Sequence, residues 1–251
     1  MRHITHRDTA VAALGTRSYE AAGDAYSRAG RSVLADPRDE ISPFEEDPKG
    51  WVGRALQFLC LGTIAYRLAG ADSRATFRAV EATAATRDLR AICTEPIQRA
   101  VLTELVADMH VAAGLDGADS IYDDAATRYE QTAPDDPMGW ATTPLFEAAN
   151  VVIQQVARGP ANGEIAVNWE DLHGADPNEP GAYLAHRAQY KRRRFPSLVG
   201  KVLETSYLAA PRGTTEYGNS EFRCPECRSR DVNWTGDSIL CMRCSHPVDR
   251  V

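Results

Sequence analysis

Between Trp51 and Gly70 the chain reads WVGRALQFLCLGTIAYRLAG, and beyond Ala55 its clearly polar side chains are Gln57, Thr63 and Arg67. Alternation is absent, the run is longer than a usual strand, and a glycine closes it. This predicts a helix apolar around most of its circumference, packed on more than one side. The flanking segments read as its neighbours. Thr5 and Asp8 have capping-box spacing and open a short helix to about Leu14. Tyr19, Ala22, Ala25, Tyr26 and Ala29 then recur at helical spacing, with Gly30 stopping or bending that helix. Residues 36–49, DPRDEISPFEEDPK, hold three prolines among six acids and read as a surface loop. Further on, Asp72 or Ser73 caps a helix to about Leu89. Thr94, with Pro96 in the first turn, opens another whose Ile97, Val101, Leu102, Leu105, Val106 and Met109 form one stripe closed by Gly114. Asp119 or Ser120 opens a helix that turns Ile121, Tyr122, Ala125 and Tyr129 inward and stops before Pro134. Thr143-Pro144 starts one with Leu145, Ala149, Val152, Ile153 and Val156 inward, ended by Gly159-Pro160. From 163 to 180 the pattern breaks: EIAVNW is a short strand or a loop, and DLHGADPNEPG is turn-rich. Pro180 begins a helix and Pro196-Ser197 a further one through about Leu208. The stretch 209–220, AAPRGTTEYGNS, reads as a linker.

An internal echo runs through the helical part. Tyr26-x3-Gly30, Tyr66-x3-Gly70 and His110-x3-Gly114 share one shape, and Ala71-Asp72-Ser73 is matched by Ala118-Asp119-Ser120. Recurrence over 40 to 45 residues signals helix pairs stacked side by side. RSYEAAGDAYSRAG, with Ala21, Ala22 and Tyr26 in small and aromatic positions, and LGTIAYRLAG, with Gly62 and Tyr66, resemble helices of the tetratricopeptide family. The resemblance covers roughly residues 5–160. It implies a mostly α fold, a helix-hairpin array over 1–208 with extra helices at 178–208, that binds a protein or peptide in a groove.

Residues 222–251 carry a different pattern. Cys224-Pro-Glu-Cys227 is followed, thirteen residues on, by Cys241-Met-Arg-Cys244. Two such turns can bring four thiolates around one tetrahedral ion. Between them Val232 and Trp234, a Thr-Gly-Asp turn, then Ile239 and Leu240 have the form of a hairpin. So short a module cannot bury enough to fold alone, and the metal supplies the missing stability. From Phe222 to Val248 the chain resembles a zinc ribbon, with Arg228 where a glycine often follows the second cysteine. The ligands Cys224, Cys227, Cys241 and Cys244 point to Zn²⁺, one per chain, with iron in a rubredoxin-like site the alternative. His246 is taken as a residue behind or outside the ligand set. A closed four-thiolate site has no open position and argues against hydrolytic metal catalysis.

Charge modifies this picture little. The net charge of −7 and pI near 5.4 speak against general attraction to nucleic acid or an anionic membrane. Of 28 basic residues only Lys49, Lys191 and Lys201 are lysines, a composition produced by a high-GC genome or by a salty cytoplasm such as that of a halophilic archaeon. The N-terminus lacks a signal-peptide pattern and the most apolar run carries Arg54 and Arg67, so a cytoplasmic protein with no membrane span is expected. Paired CxxC turns fit a reducing compartment. Within this acidic chain His186-Arg187 and Lys191-Arg192-Arg193-Arg194, with Tyr190 and Phe195 interleaved, form a basic segment, and Arg223, Arg228, Arg230 and Arg243 give the cysteine module a basic face beside Trp234. Such groups meet phosphate or an acidic partner, though a charge cluster is more often a solvated helix end, and Trp234 more simply covers the metal site or packs on the helices. Glu170-x-x-His173 is half of a di-iron pattern without its second half. Cys60 and Cys93 read as structural thiols and His110 as a packing residue. No nucleotide-binding, nucleophile-elbow or HExxH motif occurs. The expected role is therefore binding rather than catalysis: an adaptor for a protein or peptide, or alternatively a nucleic-acid-associated factor using the cysteine module and the 186–194 segment.

Overall fold

The computed structural model describes residues 2–36, 51–159 and 166–251; the predicted 36–49 loop lies almost wholly outside them. Within them the chain is mostly helical, with a small antiparallel β region at the C-terminal end. Helix α1 (Arg2–Gly15) packs on α2 (Tyr19–Ala35), α2 on α3 (Trp51–Leu68), α3 on α4 (Asp72–Ile92), α4 on α5 (Pro96–Ala113) and α5 on α6 (Ala118–Thr132). This succession is consistent with a helical array. The long α10 (Pro180–Thr205) then lies across α6 and α5, and α8 (Pro144–Val156) covers α3. Short α7 (Pro137–Ala141) and α9 (Trp169–Leu172) fill turns where the sequence pattern shows only loop.

Helix α3 is the interior of the array, as its apolar circumference demands: thirteen of its eighteen residues are buried, on faces against α2, α4, α5 and α8. Close approach of α2 is permitted by Gly23, where a Cβ would stand 2.7 Å from the Tyr66 ring. Gly30 does not stop α2, which continues to Ala35 with Gly30 set against Leu59.

The echo noted in the sequence has a local cause at two of its three sites. The Ala71 N–H donates to Tyr66 O and the Leu115 N–H to His110 O, with Gly70 and Gly114 left-handed at φ 72° and 70°. Both are Schellman caps, in which a glycine relieves the left-handed strain and satisfies the last carbonyls. Tyr26-x3-Gly30 lies inside a helix and shares only the letters. The second helix expected at Pro196 does not begin there. Pro196 sits inside α10, whose Phe195, Val199 and Val202 stay buried along one continuous face, so packing outweighs the missing N–H.

The β region is two small sheets. β1 (Thr214–Glu216), β3 (Val232–Thr235) and β4 (Ser238–Cys241) form one in the order β1-β3-β4, with Thr235 opposite Ser238 across Gly236 at φ 58°. β2 (Phe222–Arg223) pairs with β5 (Asp249–Arg250). The segment predicted as a linker is built into both bodies. Tyr207, Leu208, Ala209 and Ala210 are buried, and β1 is an edge strand of the sheet. Val11 of α1, Ala210 and Leu240 of β4 form a small apolar cluster that joins the module to the helices.

Candidate metal centre

Each CxxC turn is a knuckle of the same construction. In the first, the Arg228 N–H donates to Cys224 O at 3.0 Å, and Arg228 is left-handed at φ 60°. In the second, the Ser245 N–H donates to Cys241 O at 2.9 Å, and Ser245 is left-handed at φ 56°. The chain thus places Arg and Ser where glycine is least strained, and both turns close. The N–H groups of Cys227 and Arg243 point at the sulfurs of Cys224 and Cys241, at 3.5 and 3.4 Å, as donors that favour thiolates.

The four sulfurs lie within 4.8 Å of one another. Three separations are 3.5 Å (Cys224–Cys244), 3.4 Å (Cys227–Cys241) and 3.7 Å (Cys227–Cys244). A disulfide needs about 2.05 Å, and the cysteines are free thiols. Four sulfurs about 2.3 Å from a tetrahedral ion stand about 3.8 Å apart, close to the spacing seen here. The donor set fits a tetrahedral, thiophilic metal ion. So many sulfurs at this distance resist collective ionisation. The Cys244 thiol, by hydrogen bonding to Cys241, helps hold that group down at about 5, and is itself pushed up. A dication among them removes that conflict.

The knuckles are tied to the helical body. Ser245 Oγ accepts the Ala210 N–H at 3.1 Å and shares a 2.9 Å hydrogen bond with the Tyr207 hydroxyl. Gln155 Nε2 of α8 donates to Ala209 O at 2.7 Å, and the Arg158 guanidinium donates to Ala210 O. Arg7 of α1 donates to Thr235 Oγ1 at 3.3 Å. The segment from 207 to 210 is thus held from both sides.

Of the expected contact residues, Arg187 and Lys191 are not on the surface. They are 1% and 0% exposed and face inward from α10 onto α5. Arg187 donates to both oxygens of Glu104, to Tyr129 OH, to Asn150 Oδ1 and to Phe146 O, all at 2.8–3.1 Å. Lys191 Nζ lies 2.8 Å from Glu104 and 2.7 Å from Asp108. Tyr129 and Tyr122 donate to Glu104 and Asp108 at 2.7 and 2.6 Å. Two acids one turn apart on α5 meet two bases one turn apart on α10, and the charges cancel. Burial pushes the Glu104 carboxyl up, but the two cations outweigh it and hold it near 2. For Asp108 burial prevails over Lys191 and the carboxyl is raised. The unspent signal in the sequence was the matched spacing: Glu104 and Asp108 interrupt an apolar helix at the interval separating Arg187 from Lys191.

Arg192 is exposed and pairs with Asp123 at 3.2 Å; Arg193 and Arg194 are exposed on the same helix. Arg228 and Arg230 are exposed on the cysteine module, while Arg243 pairs with Asp231 at 3.3 Å. Trp234 is 37% exposed and packs edge-on against Phe222, ring centres 5.4 Å apart. His173 is buried: it stacks 3.8 Å from Trp169 and beside Tyr183, and Nδ1 bonds the Trp169 carbonyl at 2.9 Å. Burial pushes its pKa down to about 4. Burial likewise raises the Cys60 and Cys93 thiols, leaving both poor nucleophiles. Among the described residues no helix is long and apolar enough to cross a membrane.

No family model, curated protein or solved structure matches this chain. Its role is therefore read from its own residues.

Proposed function

We propose that the protein is a zinc-stabilised adaptor in which a helical array of tetratricopeptide-like hairpins presents a binding face and a zinc ribbon locks its open end. Zinc is the reading that four thiolates in closed tetrahedral spacing favour, and such a site is structural rather than catalytic. The observation that carries the adaptor reading is the outer face of α4. Phe77 is 74% exposed, Val80 55% and Ile92 66%, on a helix whose opposite side is buried through Ala75, Ala79 and Ala82. Ala84 extends the row between them, and Arg87 stands exposed beside it without an ion pair among the described residues. An apolar row at helical spacing, interrupted by exposed Asp88 one turn before Ile92 and bordered by Arg87, suits an amphipathic helix of a partner protein with an apolar stripe and charges of both signs.

The nucleic-acid alternative is weakened because Arg187 and Lys191 are spent inside the core. The test is a pull-down with the wild type and with Phe77→Ser/Val80→Ser, whose melting temperature should be unchanged because both side chains are exposed. A partner retained by the wild type and lost by the double variant, with binding insensitive to salt, is the expected result. Identical retention by both proteins, or steep salt dependence abolished by neutralising Arg193 and Arg194, refutes it.

A further inference from the structure

The four sulfurs of the metal centre are not equally sheltered. Cys224 and Cys241 are buried, Cys244 is half-buried and Cys227 is exposed. The 3.7 Å contact between Cys227 and Cys244 faces solvent, while the buried Cys241 lies 3.4 Å from Cys227 on the inner side. The two knuckles are also held differently. The first bonds within the module, the Cys224 N–H donating to Ser229 O at 2.9 Å. The second is tied to the helical body through Ser245, which bonds Tyr207 and Ala210. The outermost sulfur thus connects to the latch on the helices through one sulfur contact and the Cys241–Ser245 turn. Oxidation of cysteine follows thiolate character and access. Cys60 and Cys93 have neither, since both are 1% exposed and burial raises both thiols.

We propose that Cys227 is a modification site for a hydroperoxide oxidant, resolved by Cys241 as a disulfide that dismantles the metal centre. This step presupposes the zinc reading above. The Cys227 thiolate attacks one oxygen of the peroxide, becomes a sulfenic acid and expels hydroxide. The Cys241 thiolate then attacks the Cys227 sulfur from the inner side, forms the S–S bond and expels the second hydroxide. Two electrons pass from the sulfurs to the peroxide, whose oxygens end as water after taking up two protons. With Cys227 joined to Cys241, two sulfurs remain, and two do not close a tetrahedral site. Drawing Cys241 toward Cys227 also pulls on the bond from the Ser245 N–H to Cys241 O, at a residue held left-handed only by its surroundings. The oxidant's effect therefore reaches the 207–210 joint.

The experiment uses the full chain as purified, its zinc content measured first. Hydrogen peroxide is added in rising ratio with a chromophoric zinc chelator present, and remaining thiols are counted in denaturant. The expected result is loss of about one zinc per chain, together with two of the six thiols, reversed by dithiothreitol and zinc. Trypsin releases 224–228, 231–243 and 244–250 as separate peptides. The first should appear linked to the second, through Cys227 and Cys241. Limited proteolysis should cut 207–221 in oxidised protein and spare it in reduced protein. These readouts need no variant. A link within 224–228, a link from 224–228 to 244–250, or first loss at Cys60 or Cys93 overturns the proposal, as does zinc retained in excess peroxide. Protein purified without metal refutes the zinc reading and this proposal together; zinc-loaded protein that gives any overturning result refutes this proposal alone.

Discussion

Lys191→Met cuts one member from the buried ionic cluster. Lys191 Nζ contacts Asp108 and Glu104 and is sealed from solvent. Without it Glu104 keeps Arg187 and Tyr129, but Asp108 keeps only the Tyr122 hydroxyl among side-chain partners. An unpaired buried carboxylate costs more than a proton does, so Asp108, already raised by burial above its ordinary 3.8, is held neutral in the folded variant. Keeping it neutral at pH 7 while the unfolded chain ionises near 3.8 costs about 4 kcal/mol, and at pH 5 about 1.5 kcal/mol. The first figure agrees with the ~3–5 kcal/mol for breaking a buried ion pair. For a chain of this size the melting temperature should fall by about 8–16 °C at pH 7 and about 3–6 °C at pH 5, relative to wild type at the same pH. The sign follows from the raised folded pKa, since lowering the pH toward 3.8 removes the penalty. Asp108→Asn/Lys191→Met removes the charge but keeps the Tyr122 bond, so its melting deficit should be smaller and the same at both pH values. Thermal unfolding followed by circular dichroism reads all three proteins. A single-variant drop below about 3 °C at pH 7, or one that ignores pH, refutes the assignment of Lys191 as the counter-charge of Asp108.

Other consequences are as direct. Purified protein should carry about one zinc per chain by elemental analysis, and Cys224→Ser or Cys241→Ser should lose it. Because Ser245 ties the second knuckle to Tyr207 and Ala210, the same variants should open residues 207–221 to limited proteolysis, whereas a protease-resistant, metal-free variant contradicts the coupling. His173 has a folded pKa near 4 against 6.5 unfolded. Its contribution is fully present above pH 6.5 and is lost as the pH falls toward 4, by about 3 kcal/mol at most. His173→Phe, which keeps the stack on Trp169, should flatten the melting profile in that window; an unchanged slope would place the titration elsewhere.

Much of the helical architecture was legible from periodicity, because α3, α5 and α8 have apolar faces that admit one burial pattern, and Gly114 announces its own cap. The four sulfurs were legible because CxxC turns are local and each knuckle is closed by its own backbone. The rest depends on contacts between distant residues. KRRR reads as a solvated helix end until α5 supplies Glu104 and Asp108 from 83 positions away, and nothing local separates Lys191, turned inward, from Arg193, turned outward, except the phase of α10. The linker reading of 209–220 failed for a similar reason. Proline, glycine and threonine are loop residues by composition, yet Thr214–Glu216 found an open edge on β3, the Ala209 and Ala210 carbonyls found donors on Gln155 and Arg158, and the Ala210 N–H found an acceptor on Ser245.

The small cluster of Val11, Ala210 and Leu240 has a consequence for biosynthesis. Arg7 and its acceptor Thr235 are 228 positions apart. At about 5–20 residues per second the ribosome needs roughly 10–45 s to deliver the strand that shields α1. Through that interval the apolar side of Val11 is open to chaperones. On the zinc reading proposed above, metal supply would set how long each newborn chain remains sticky.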